Sequence, residues 1–408
     1  MAAVPGNGVA IMSSTDTTET TPPDPTVAAG VPSPRAPRPT PSAARKPAWL
    51  YLVIMAVLIA LMFAGVGIAN AQLNPYVYDQ DAIGVAAQGL ADGKNLANYD
   101  PNLDLRSVRK AQIERMSKAP DVVIFGGSRW QEARSEIIPG GHDVYNAFVS
   151  NDQVEDMLAI TNILDKAHRL PKTMVLSLRF VSVQGIPQRQ TYDWKAWGGD
   201  YAEMAGKLGI SPASYPDRAP VQQWSGQFNF TGLFSRWLQV DAAKHAPRLT
   251  TEDQTPDLDI IAADGSLHWS KASEAKFTRK FVDKAVDKEI LTVGPTKPGI
   301  DPTEVATMGR LIDWLQKRGV KVFVVQTPYR PDYWQRIQSY PFAKTLHGLE
   351  QVALQLQAQH GAIAGNHFDP APFPHCTLDE FVDHIHPRPP CLADMFAALP
   401  DLVTGAPR

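Results

Sequence analysis

A serine hydroxyl becomes a nucleophile only when a base takes its proton, and a histidine base needs an anion to fix its tautomer. The 408-residue chain carries these three residue types in two widely separated places. Gly126-Gly127-Ser128-Arg129 follows directly on the apolar run Val122-Val123-Ile124-Phe125, so a tight glycine turn delivers a serine from the end of a buried strand. Far downstream, Asp383-His384-Ile385-His386 sets an Asp three residues before a His. With Ser128 as nucleophile, His386 as base and Asp383 as its orienting partner, the pattern suits acyl transfer through a serine ester. Without the downstream motif, Ser128 reads as a turn serine capping the helix that follows.

The elements that must position these residues read as alternating strands and helices. Strands are predicted over 121–125, 143–148, 173–183, 320–326 and 362–368. A helix from about 152 has Val154, Met157, Leu158, Ile160, Ile163 and Leu164 on one face. A second starts at Asp301-Pro302-Thr303-Glu304, with an N-cap Asp, a Pro at the first helical position and a capping-box Glu, and closes at Gly319. A third runs from about 343 to Gly361. This alternation predicts an α/β fold with a mostly parallel sheet, whose ligands sit beyond the carboxyl ends of the strands. Ser128 follows the first strand and the Asp-His motif follows the last, so both reach that edge. Residues 187–300 break the rhythm and read as an insertion. It holds five of the nine tryptophans, Trp194, Trp197, Trp224, Trp237 and Trp269, whose rings either pack or stack on sugars.

Residues 1–47 are mostly Pro, Thr, Ala and Ser and are expected to form a disordered tail. Residues 48–70 are free of charge and long enough to span a bilayer. Arg35, Arg38, Arg45 and Lys46 precede the span and Asp79 and Asp81 follow it, which predicts a cytoplasmic tail and an extracytoplasmic body. A signal peptide cleaved after Ala71 is the competing reading. Residues 71–118 read as a helical linker. A net charge of −3 argues against a nucleic-acid partner. Cys376 and Cys391 are the only cysteines, and outside the cytoplasm they can form a disulfide whose loop holds Asp383, His384 and His386. The alternatives are two unrelated thiols, or zinc ligands together with His375, Asp383, His384 and His386. That spacing matches no standard zinc motif, and no metal or other cofactor is expected.

DVVIFGGSR resembles the first block of the SGNH (GDSL-type) hydrolase superfamily, and its Ser-Arg form is similar to membrane-anchored members that modify cell-surface polysaccharides. YNAFVSNDQVEDM resembles the second block, DHIHP the terminal Asp-x-x-His, and VFVVQTPYRPDYW a late strand and loop. The resemblance covers about 98–186 and 302–398. It implies a three-layer α/β/α domain over about 119–400, interrupted at about 187–300, with Ser128, Asp383 and His386 as the triad. It further implies O-acyl transfer, of acetyl groups, to a cell-envelope polysaccharide at a bacterial plasma or inner membrane. A carbohydrate esterase would use the same triad. A multi-spanning membrane-bound O-acyltransferase is the implied partner.

The oxyanion hole departs from the family pattern. The Ser128 amide, beside Gly127, supplies one donor. Where the second block usually offers a Gly, this chain has Ser150-Asn151, and the third strand continues Leu176-Ser177-Leu178-Arg179-Phe180 with no Asn. Arg179, Asn146 and Asn151 are the candidate substitutes. Arg129 is expected either to hold a carboxylate or phosphate near the nucleophile or to pair with an internal acid. These departures leave a non-catalytic glycan-binding or scaffold protein as a further reading.

Overall fold

The structure is a computed structural model and describes residues 48–72, 80–97, 104–185, 193–211, 247–365 and 367–399. The predicted tail, Trp224 and Trp237 lie outside the described residues. The chain divides into two units, Met1–Ala69 and Asn70–Arg408. In the first, the helix Ala48–Gln72 begins, and its stretch Trp49–Val66 is long and apolar enough by length and composition to cross a membrane.

In the second unit, β1 (Asn95–Ala97) lies between the helices Gln80–Ala91 and Leu105–Arg115. Then come β2 (Val122–Phe125), β3 (Val144–Asn146), the helix Val154–Lys166 and β4 (Thr173–Ser177). After the helix Gly198–Lys207 the chain forms β5 (Arg248–Thr250), β6 (Ile260–Ile261) and β7 (Leu267–His268). The helices Arg279–Thr292 and Pro302–Gln316 lead to β8 (Lys321–Val325), then Phe342–His360, β9 (Ile363–Gly365) and the helix Pro389–Ala397.

β2, β3, β4, β8 and β9 form a parallel sheet in the order β3-β2-β4-β8-β9. Successive side chains on a strand face opposite sides, so apolar runs supply two cores at once. Val123, Phe125, Met174, Leu176, Val322 and Val324 join one cluster with Met157, Leu311 and Leu349 from the flanking helices. Val122, Ile124, Val175, Phe323 and Val325 join the other with Trp130, Met395 and Phe396. The helix at 302 starts as predicted, with the Asp301 carboxylate accepting from the Thr303 amide at 2.8 Å. Gly361 ends the next long helix at φ 67°, a left-handed conformation that glycine adopts without strain.

The segment read as a linker and part of the insertion build a second sheet together. It is antiparallel, in the order β5-β1-β6-β7, with Asn95 opposite Thr250 and Leu96 opposite Ile261. Residues 80–115 therefore contribute a strand and two helices to this unit instead of merely leading into it. The β6–β7 hairpin is sewn to the parallel sheet. The Asn146 amide donates to the Asp264 carbonyl and the Leu267 amide to the Gln131 carbonyl, each at 2.6 Å. Trp194 and Trp197 are buried in the first core cluster. Trp269 is half-buried and donates its indole N–H to Glu132 Oε1 at 2.7 Å.

Candidate active site

The nucleophile turn depends on two close backbone approaches. A Cβ on Gly126 would stand 2.5 Å from the Cβ of Ser177, and one on Gly127 would overlap the Arg179 guanidinium and the Asp152 carboxylate. Only glycine lets the chain leave β2 along this path. A single 3₁₀ turn, Ser128–Trp130, follows, with the Trp130 amide donating to the Gly127 carbonyl at 3.0 Å. Ser128 heads that turn, so its own amide has no carbonyl behind it within the turn. Trp130 is fully buried against Phe396 and anchors the turn to the second core cluster.

His386 arrives on a loop wrapped around the Asp383 carboxylate. Asp383 Oδ1 accepts from the amides of Ile385 at 2.8 Å and His386 at 2.9 Å, while Oδ2 lies 2.6 Å from His386 Nδ1. His386 Nε2 lies 2.7 Å from Ser128 Oγ. Burial alone would raise the Asp383 carboxyl pKa. The charge and hydrogen bond of His386, the charge of His384 and the Ile385 amide outweigh burial and hold it well below the usual carboxylate range. An ionised carboxylate only accepts, so Nδ1 carries the imidazole proton and Nε2 accepts from the serine hydroxyl. The structure thus brings Ser128, His386 and Asp383 into one hydrogen-bonded chain, half-buried and open at the sheet edge.

Backbone bonds from Val382 to His386 and from Arg388 to Glu380 close the loop at its neck. Outside them Cys376 and Cys391 form a disulfide, Cα–Cα 4.4 Å, which encloses the Asp-His motif as expected. With the sulfurs bonded to each other, the zinc-ligand alternative loses both thiolates. His375 pairs with Asp394 at 2.7 Å, and His384 lies 3.6 Å from Glu289.

Arg129 does not pair with an internal acid. It is buried, its Nε donates to the Ile385 carbonyl at 3.1 Å and its Nη2 to the Pro328 carbonyl at 3.3 Å. Its guanidinium lies 4.0 Å over the ring of Tyr329. A side chain flanking the nucleophile therefore bonds backbone carbonyls, one of them inside the Asp-His loop, instead of an acid.

The oxyanion candidates separate sharply. Asn146 is fully buried with its amide committed: Nδ2 donates to the carbonyls of Trp130 at 2.7 Å and Ala133 at 2.9 Å, and Oδ1 accepts from the Phe148 amide. It braces the nucleophile turn and has no hydrogen left for a ligand. The Ser150 carbonyl accepts from Arg106 at 2.9 Å. Asn151 is exposed at φ 53°. Arg179 alone packs against the backbone of Gly127, where it forms a buried ion pair with Asp152. Burial, then the like charge of Arg129, lower its pKa to about 9, which leaves it cationic at neutral pH. Sequence reasoning missed Asp152. The signal was present, since an acid set between Val149 and Val154 at the start of a helix needs a buried cation.

Comparison with known protein families finds no family model that matches the chain, and no curated protein matches it.

Proposed function

We propose that this chain is a membrane-anchored, extracytoplasmic SGNH-like enzyme that transfers O-acyl groups, acetyl foremost, to a cell-envelope polysaccharide. The observation that carries the reading is the continuous path from Ser128 Oγ to His386 Nε2 at 2.7 Å and from Nδ1 to Asp383 at 2.6 Å. In the first half-reaction, Ser128 Oγ bonds to the carbonyl carbon of an acyl ester as its proton passes to His386. The C–O bond to the leaving alcohol then breaks, and that alcohol takes the proton from His386. In the second, a sugar hydroxyl attacks the acyl-serine, gives its proton to His386 and leaves with the acyl group, while Ser128 regains its hydrogen. Water in place of the sugar would make the same site an esterase.

The apolar helix Trp49–Val66 and the basic residues before it support an anchor with the body outside the cytoplasm. The disulfide fits an oxidising compartment. Both faces of the parallel sheet carry apolar clusters, which fits a three-layer α/β/α arrangement. Acyl donors made in the cytoplasm would have to cross the membrane, so a multi-spanning membrane-bound O-acyltransferase is the proposed partner.

The test is covalent labelling of the detergent-solubilised full chain with a fluorophosphonate probe, read by intact mass. Wild type is expected to gain one adduct, with Ser128→Ala and His386→Ala gaining none. Unlabelled wild type in a folded sample would replace the enzyme reading with a glycan-binding one.

A further inference from the structure

Acyl transfer by a serine puts a full negative charge on the former carbonyl oxygen, and rate depends on donors already in place around it. The Ser128 amide is one such donor. Asn146 has no free hydrogen and Asn151 is turned to solvent, so the remaining donor must come from elsewhere.

Arg179 lies beside the nucleophile turn. Its Cζ lies 2.5 Å from where a Cβ of Gly127 would be, so the guanidinium is packed against the residue that precedes the nucleophile. The side chain is about nine-tenths buried. A guanidinium has five N–H donors. Asp152 engages one nitrogen, Nη2, and Nε makes no hydrogen bond within the structure. A buried N–H without an acceptor is rare in folded proteins and calls for an explanation, of which a catalytic role is one. The cation is also held firmly. Ser182 Oγ donates to the other Asp152 oxygen at 3.3 Å, and the Ser182 amide donates to the Arg179 carbonyl at 3.1 Å. Ion pairing with Asp152 leaves the resting site without net charge from this pair.

We propose that Arg179, fixed by Asp152, is a catalytic residue that donates to the oxyanion beside the Ser128 amide, doing with a charged group what a neutral side-chain amide would otherwise do. The inference rests on Ser128 being the nucleophile. As Oγ bonds to the acyl carbon and its proton passes to His386, the carbonyl π pair moves onto oxygen, which accepts from Ser128 N–H and Arg179 N–H. When that pair returns, the bond to the leaving alcohol breaks and His386 protonates it.

The experiment uses full-length protein in detergent and 4-nitrophenyl acetate, following the acylation burst, with fluorophosphonate labelling of the same samples. Arg179→Gln is expected to slow acylation by roughly 100- to 1000-fold, as loss of one oxyanion donor does, with KM changed less than threefold. Arg179→Lys is expected to recover part of the rate. Added guanidinium is expected to accelerate Arg179→Gly, a rescue that a purely structural role would not give. Acylation of Arg179→Gln at the wild-type rate would overturn the proposal, as would a loss confined to KM or an Arg179→Gly variant that guanidinium leaves unchanged. Wild type that is not labelled at all would instead sink the triad itself, so the two failures are distinguishable.

Discussion

Arg129 Nε donates to the carbonyl of Ile385 at 3.1 Å, which ties the residue after Ser128 to the residue before His386. The same guanidinium donates to Pro328 and lies over Tyr329, so three segments far apart in the chain meet on one side chain. It bridges the turn that carries Ser128 and the loop that carries His386.

Replacing this side chain should therefore damage reactivity as well as stability. Hydrogen bonds from a charged donor contribute about 1.5–3 kcal/mol each. Arg129→Met is expected to lower the second-order rate of fluorophosphonate labelling by roughly 10- to 100-fold. Arg129→Lys keeps charge but loses the planar fork, and should fall between. An unchanged labelling rate in Arg129→Met would remove the bridge from the account.

The disulfide holds the same loop from outside. Closing 15 residues stabilises a fold by about 3 kcal/mol in the chain-entropy view. The double variant Cys376→Ser, Cys391→Ser is expected to melt several degrees lower and to label more slowly. Treating wild type with a reductant should reproduce both effects, provided the bond becomes accessible on partial unfolding. Equal melting temperatures with and without the bond would contradict this.

How far the sequence reveals these relationships depends on the range of each interaction. The existence of all five strands is legible, and for the central three this follows because a strand buried on both faces must be an apolar run between turn residues, although the run predicted over 173–183 is strand only to Ser177. The meeting of Ser128, His386 and Asp383 is legible because their chemistry restricts their types and puts Asp383 and His386 three residues apart. The small sheet is not, since β6 and β7 have only two residues each and β1 pairs with a strand more than 150 positions away. Periodicity cannot register in so few residues. The Arg179–Asp152 pair is equally hidden, because it joins the end of one strand to the loop after another. Arg129 illustrates a third limit: a buried cation predicts acceptors, but backbone carbonyls satisfy it as well as an acid does.

Gly127 tests the pair from the backbone side. An added methyl there would overlap both Arg179 and Asp152, and the buried pair has few directions in which to yield. Gly127→Ala is expected to lower the melting temperature as well, since the position is buried and its neighbours must shift to admit a methyl. Its acylation by 4-nitrophenyl acetate should fall by about tenfold or more, a loss of roughly 1.4 kcal/mol in transition-state stabilisation. Wild-type acylation in this variant would mean that the guanidinium does not need to sit where it does.

Glu132 gives a pH dependence whose sign can be worked out. It lies four residues after Ser128, is buried, and accepts the Trp269 indole N–H at 2.7 Å. Burial raises its pKa to about 7, although that hydrogen bond and the charges of Arg388 and Arg134 act against the rise. In the unfolded chain the same group titrates near 4.3. Between these values the folded protein holds a proton that the unfolded chain has released, so stability falls as pH rises through this window. Below it both forms are protonated and the penalty vanishes. Above about 7 both are ionised and the penalty levels off at roughly 3–4 kcal/mol. Glu132→Gln preserves shape and an acceptor oxygen without the charge. The variant should melt higher than wild type at pH 8.5 and match it near pH 3, followed by tryptophan fluorescence. A gain of the same size at both pH values would locate the effect in packing instead of proton binding. A variant less stable at pH 8.5 would mean that Arg388 and Arg134 fully offset the cost of burying the carboxylate.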